Sequence, residues 1–279
     1  MIVTSKLLNK NCFDALKDIP DKSVDLVLSD PPYSIKFDAS NHMENSDWDK
    51  MSDEEYIGLI SKYLLESKRI LKDDGSAWIF FGPSKLKEFL KAVEISGLHP
   101  HFEHWKSICR QKGRGAKYKL KSQREDFMLL TKHPTNYKLN NVDNLFNYKE
   151  NITNILNYYS GEVERPPFKF EDTIYNFKMP YYLSKTEKQI HSCQKSILLL
   201  YALIMNSSEK NDTVFDGFAG SGSCAIASHL AERNFIGCEL EKDMYSAAQK
   251  WINSFNYDTY KKDYLKWTFG GLKCGNNSK

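Results

Sequence analysis

Asp30, Pro31, Pro32 and Tyr33 stand together at the end of an apolar run, within LVLSDPPYSI. A carboxylate, two residues without a backbone N–H and a phenol ring are an unusual way to end a strand. The prolines force the local backbone out of helix and ladder pairing, which leaves the Pro31 carbonyl as an acceptor. The Asp30 carboxylate is a second acceptor nearby. Two acceptors suit the exocyclic amine of a nucleobase. Its lone pair is delocalised into the ring, and gripping both N–H groups turns that lone pair outward. Tyr33 can stack on the base face, worth about 1–3 kcal/mol. A base held this way has been flipped out of its duplex. Taken alone, the four residues can equally be a strand-end turn without chemistry.

A second constellation lies far away, in TVFDGFAGSGSCAIA from Thr213 to Ala227. A strand ends at Asp216, a glycine-rich turn follows, and a helix opens near Ser221. That layout marks a ligand site at the carboxyl end of a parallel strand. Further on, FIGCELE places Glu239 at the end of the next strand, where a carboxylate accepts hydrogen bonds from ribose hydroxyls. The cofactor should therefore contain adenosine. Gly217, Gly220 and Gly222 run G-x-x-G-x-G, which is neither the dinucleotide fingerprint nor a P-loop. Asp216 at the mouth of the turn would repel pyrophosphate. It would welcome an ammonium and a sulfonium, as in S-adenosylmethionine, while the helix start after Gly222 faces that ligand's carboxylate. A purely structural glycine turn is the alternative. Joined, the two sites hold a methyl donor in line with an amine in a dry pocket.

The pairing resembles a known family. Asp30–Tyr33 resembles the DPPY motif of DNA amino-methyltransferases, and Phe218-Ala219-Gly220-Ser221-Gly222 their F-x-G-x-G cofactor motif. Catalytic motif first and cofactor motif last is the circularly permuted order of the beta class, found in bacterial restriction–modification systems. Around Asn11 and Cys12, NKNCFDAL is similar to the family's D-C-x-x-x-L segment, with Asn11 for the usual acid that contacts the cofactor adenine. HSCQKS, with His191, Lys195 and Ser196, is similar to H-P-T-Q-K-P, which helps hold the cofactor's methionine end. The stretch from His104 to Lys132 also fits the family's segment after the catalytic strands. Departures are Gly217 for the usual Pro, Ser223-Cys224 for Thr-Thr, and Cys193 and Ser196 for a Thr and a Pro. The resemblance implies a Rossmann-like S-adenosylmethionine-dependent methyltransferase fold carrying an inserted target-recognition region. It also implies methylation of adenine N6 in duplex DNA. Cytosine N4 presents the same amine geometry, RNA is a further substrate to weigh, and a cofactor-binding DNA module without turnover is the reading from another class. Asp at the first motif position leans toward adenine. No Pro-Cys nucleophile of the cytosine-C5 type occurs.

Elements must deliver these groups. Ser23–Ser29, Ala77–Phe81, Phe127–Thr131, Thr213–Phe215 and Phe235–Cys238 read as strands. Cys12–Ile19, a capping box at Ser52 leading a helix that Asp74-Gly75 stops, Ser84–Ser96, Gln194–Met205, Ser221–Leu230 and Lys242–Ile252 read as helices. Their alternation predicts an α/β fold, a mostly parallel sheet with helices on both faces. Residues 1–133 should form the catalytic half, 134–189 a Tyr- and Asn-rich insert, and 190–279 the cofactor half.

Net charge is only +3, so contact with DNA must come from local clustering. Arg110, Lys112, Arg114, Lys117, Lys119, Lys121 and Arg124 fill one acid-free segment, which Gly113 and Gly115 should make a mobile phosphate-binding loop. Ser34–Lys50 is a second candidate, as a loop closing over the base. His99, His101 and His104 lack the Cys or acid partners of a metal site and read as surface or structural residues. Six cysteines without a C-x-x-C pair predict neither zinc nor disulfides. No apolar run reaches the roughly 18 residues of a membrane helix, and no signal peptide is evident. A cytoplasmic enzyme is expected, with a restriction endonuclease or second methyltransferase as a functional partner and a homodimer allowed.

Overall fold

The computed structural model describes residues 4–34, 50–114, 122–140, 190 and 194–261, with side chains except at 108–114 and 122–124. Among the described residues, seven strands form one sheet: β1 (Ser5–Asn9), β2 (Val24–Ser29), β3 (Leu71–Phe81), β4 (His99–Arg114), β5 (Ser122–Thr131), β6 (Thr213–Asp216) and β7 (Asn234–Glu239). Their spatial order is β1-β7-β6-β2-β3-β5-β4. Every pairing from β1 to β3 is parallel, whereas β5 runs antiparallel to both of its neighbours. The α/β class and mostly parallel sheet are as expected.

Seven helices accompany the sheet among the described residues: α1 (Cys12–Leu16), α2 (Asp53–Ile70), α3 (Leu86–Ser96), α4 (Ile197–Ser207), α5 (Ser223–Leu230), α6 (Lys242–Ser254) and α7 (Tyr257–Tyr260). The buried apolar residues divide into two clusters, one per sheet face. One joins α1, α2 and α3 to Val27, Ile79 and Met128. The other joins α4–α7 to Leu26, Leu28, Phe80 and Phe127. Alternation along each strand sends successive side chains to opposite clusters. β2 is buried along its whole length, as a central parallel strand covered on both faces must be.

Three elements depart from expectation. Helix α2 starts at its capping box, with Ser52 and Glu55 satisfying each other's backbone N–H, yet it stops at Ile70 and not at Asp74-Gly75. Leu71 pairs directly with Val24, and the register then jumps to Leu26–Ser76, so Asp74 and Gly75 lie in a bulge within β3. Next, β1 and β4 were not legible as strands, since both are sheet edges and β4 is largely polar. Third, the basic segment is not wholly a loop: residues 110–114 belong to β4 and 122–124 to β5, with Cys109 opposite Arg124 and Arg114 opposite Ser122. Ladder hydrogen bonds satisfy that backbone whatever the side-chain charge.

No described helix is long and apolar enough to cross a membrane. The start of the expected insert is stitched to the domain: Lys138 N–H donates to Asp74 O at 3.1 Å and its ammonium reaches Asp25 and Asp212. Residues 141–189, the rest of that insert, lie outside the described residues, as does most of the segment after Tyr33.

Candidate active site

Strands β2 and β6 are parallel neighbours, with Leu26 opposite Val214 and Val27 opposite Phe215. Their carboxyl ends emerge side by side, so Asp30 and Asp216 face one crevice despite their distance in sequence. Because β5 is antiparallel, its beginning reaches the same edge. That places Glu125 and Asp126 beside the ends of the parallel strands.

The Asp30 carboxylate is held from two sides. Its Oδ1 accepts the Tyr33 hydroxyl and its Oδ2 accepts the Lys195 ammonium. Lys195 is buried, and Nζ also lies 3.4 Å from Glu125 Oε2. The same ammonium stands 5.1 Å from the Phe80 ring centre and 5.7 Å from that of Tyr33, a cation against two π faces. Asp30, Pro31, Pro32 and Tyr33 follow β2 as irregular backbone, and Ser34 adopts φ 54° while donating its hydroxyl to Met51 O at 2.6 Å. The chain therefore turns sharply past the motif and is anchored at once.

The glycine turn after β6 is tied down on three sides. Gly217 N–H donates to Ser29 Oγ at 3.1 Å and to the Tyr63 hydroxyl at 3.2 Å. Ala219 N–H donates to Cys238 O at 2.8 Å, and Gly220 N–H to Glu239 Oε2 at 2.9 Å. Glu239 Oε1 takes the Glu241 N–H, which fixes its carboxylate at the mouth of the turn. Gly220 (φ 49°) and Gly222 (φ 84°) adopt left-handed backbone, and a β-carbon on Gly222 would stand 2.9 Å from Ile252. Helix α5 begins immediately after, at Ser223, two residues later than expected, because left-handed Gly222 is its cap. Asp216 accepts Phe218 N–H at 3.0 Å. Burial pushes its carboxyl up to about 7, only partly offset by that N–H and by Ser29, with Asp30 and Glu239 adding to the rise.

The residues expected to hold the cofactor adapt to their departures from the family pattern. Tyr63 fills the space beside Gly217: a β-carbon there would lie 2.5 Å from the ring, so the usual Pro would collide with it. Cys224 is buried under β2, its Sγ donating to Leu28 O at 3.8 Å, and burial pushes its thiol well up, which makes it a packing group. Asn11 Oδ1 caps α1 by accepting Phe13 N–H at 2.9 Å, and Cys12 is buried behind it. Ser196 caps α4 through its backbone, and its buried Oγ has no partner among the described residues. An orphaned hydroxyl at a helix start fits a carboxylate terminus. With Asp216, Phe218, Ala219, Gly220, Ser221 and Glu239 around the turn, the donor set fits a ligand carrying ribose, a cation and a carboxylate.

His191 lies outside the described residues, as do Lys117, Lys119 and Lys121, and the side chains of Arg110, Lys112, Arg114 and Arg124. His101 is buried rather than on the surface. It bonds Thr131 Oγ1 at 2.8 Å and Glu103 Oε1 at 2.9 Å, a structural role. Among the described residues, no group of acids, histidines or cysteines could hold a metal ion. Sequence reasoning missed Glu125, Ser29 and Tyr63. Glu125 alternates with Phe127 and Leu129 on one face of β5, a signal readable only once that strand is known to run antiparallel.

Residues 24–250 match the N6_N4_Mtase family, described as DNA methylase. The chain belongs to that family. It is 26% identical over 249 residues to the type II methyltransferase M.HpaI of Haemophilus parainfluenzae, covering 89% of this chain and 74% of the relative. Two solved structures share the fold. The M1.HpyAVI–SAM complex is 20% identical, with TM-score 0.61 over 90% of this chain and all of that one. The cytosine-N4-specific PvuII DNA methyltransferase is 15% identical, with TM-score 0.63 over 96% of this DNA methylase and 93% of its own length.

Proposed function

We propose that this DNA methylase transfers a methyl group from S-adenosylmethionine to adenine N6 in duplex DNA, as the modification arm of a type II restriction–modification system. The observation that carries the reading is the pair of carboxylates at the ends of adjacent parallel strands. Asp30 stands on the side of DPPY, Asp216 on the side of the glycine turn.

When bound, S-adenosylmethionine supplies an electrophilic methyl on a sulfonium. The chain's own residues do the rest. Asp216 receives the cationic methionine end, Glu239 the ribose hydroxyls, and the start of α4 with Ser196 the carboxylate. Lys195 touches Asp30 in the structure, so its part in holding the methionine end gives way to a part in holding the acid. Asp30 and the Pro31 carbonyl accept the two N–H groups of the base amine and turn its lone pair toward the methyl. Tyr33 supplies the stacking face. The walls of Phe80 and Tyr33 keep water from the reacting atoms. The basic segment of β4 and β5 and the residues between them contact phosphates.

The adenine reading draws on Asp30, which in this family leans to adenine. One experiment decides: incubate duplex DNA with the purified protein and labelled donor, digest, and identify the modified nucleoside. N6-methyladenine is expected. N4-methylcytosine would reassign the base and keep the mechanism, whereas label in RNA alone would overturn the DNA substrate.

A further inference from the structure

Three neighbouring parallel strands end along the crevice in the order β1, β7, β6. Asp216 ends β6, Glu239 ends β7 and Asn9 ends β1. Asn9 stands opposite Glu239, and its Nδ2 donates to Glu239 O at 2.9 Å and to Leu240 O at 3.0 Å. The end of β1 is thereby tied to the mouth of the ribose site. A donor with its methionine end at Asp216 and its ribose at Glu239 carries its adenine onward, past β7, toward the end of β1. Asn11 stands exposed there, two residues beyond Asn9.

Adenine offers two kinds of group along its edges. Its N6 amine donates, and its ring nitrogens accept. A carboxylate at position 11 could only accept, so it would suit the amine. An asparagine amide has one accepting oxygen and one donating NH2. Phe13 N–H settles which end of the amide is which, because an amide nitrogen cannot accept it. Oδ1 takes that N–H at 2.9 Å. The two ends of a planar amide diverge, so the NH2 group faces away from Phe13. What position 11 shows to an adenine is therefore a donor.

We propose that Asn11 holds the cofactor's adenine by donating from Nδ2 to a ring nitrogen, the reverse of the contact a carboxylate would make with the N6 amine. This rests on the reading of Asp216 and Glu239 as the sites for the donor's cation and ribose. Position 11 then decides which group of the adenine the protein reads, and hence which altered cofactors it accepts. A cofactor without the N6 amine keeps this contact. One whose contacted nitrogen is replaced by C–H loses it.

The test is calorimetric affinity, without turnover, for S-adenosylhomocysteine and four analogues of it. Three are the 1-deaza, 3-deaza and 7-deaza forms, and the fourth is the purine form that lacks the N6 amine. The parent is compared with N11D and N11S. Asp and Ser cap a helix as well as Asn does, so α1 is kept, and thermal midpoints check that. In the parent, one deaza analogue should bind about tenfold more weakly than S-adenosylhomocysteine, the loss of one hydrogen bond. The purine form should stay within about threefold. N11S should bind S-adenosylhomocysteine itself more weakly and should treat that deaza analogue as its equal within about threefold. N11D should reverse the parent's order, indifferent to the deaza change and weakened by loss of the amine. A parent hurt more by loss of the amine than by any deaza change overturns the proposal. So does an N11S or N11D enzyme that ranks the analogues as the parent does. If N11S does not fold, the reversed order in N11D carries the test. A parent that does not bind S-adenosylhomocysteine at all sinks the underlying reading of the crevice instead.

Discussion

Tyr63 occupies the place where a β-carbon on Gly217 would stand, with Cε2 2.5 Å and the hydroxyl oxygen 2.8 Å from that point. The same hydroxyl lies 2.6 Å from Ser29 Oγ, and both take the Gly217 N–H. Ring and hydroxyl together clamp the start of the cofactor turn. The Gly217→Ala variant must push aside a fully buried ring, and overpacking of this kind costs about 1–3 kcal/mol. Its thermal midpoint should fall and its affinity for S-adenosylmethionine should weaken. A variant as stable as the parent would show that Tyr63 yields freely.

In the proposed mechanism Asp30 acts chiefly by presenting the amine. Asp30→Ala should abolish methyl transfer while calorimetric affinity for the cofactor stays within about tenfold. Equal loss of both would assign Asp30 to the cofactor instead.

Cofactor binding should tighten as pH rises through about 7, the value to which burial lifts Asp216. The carboxylate form faces the cation, so below that pH binding must first expel a proton. Between the ordinary carboxylate value and about 7, the folded free enzyme holds a proton that the unfolded chain has lost. Its stability without ligand therefore falls as pH rises across that window. Calorimetry near pH 6 in buffers of different ionisation enthalpy should register proton release, and Asp216→Asn should abolish it. A flat pH dependence in the parent would remove Asp216 from the cation site.

Asp25 behaves in the opposite sense. Burial opposes its ionisation, but Lys72 at 2.7 Å, Thr213 N–H at 2.9 Å and Lys138 at 3.3 Å outweigh it and hold the carboxyl below the usual range. The stability it contributes is present at neutral pH and is lost as pH falls through its lowered folded value. Asp25→Asn should cost about 1–3 kcal/mol at pH 7. The gap to the parent should close in acid. Urea midpoints at the two pH values measure it, and a gap that persists in acid contradicts the ionic origin.

The parts of this molecule that were legible in the sequence are those where local pattern and tertiary role agree. β2, β6 and β7 are short apolar runs because both their faces are covered. Ser52 and Glu55 announce α2 since the capping box is a local device. The end of α2 was misjudged because Leu71 goes straight into the sheet, and the glycine that looked like a stop belongs to a bulge opposite Asp25. β1 and β4 escaped notice because edge strands owe their state to a neighbour's hydrogen bonds, not to their own composition. The motif residues Asp30 and Asp216 were readable as chemistry. That they share one crevice follows from strand adjacency, which no spacing encodes. Lys195 is the sharpest case, as family likeness put it beside the cofactor and packing sets it on Asp30.

The sheet order also bears on how the molecule comes into being. β1 pairs with β7, and β2 with β6, across almost the whole chain. While the ribosome is still making the middle of the protein, the strand that carries Asp30 has only β3 beside it, and the first strand has none. Long-range pairings of this sort are slow to close. The crevice as a whole cannot be completed before residues near 239 have emerged, so a nascent chain should be catalytically silent until β7 docks.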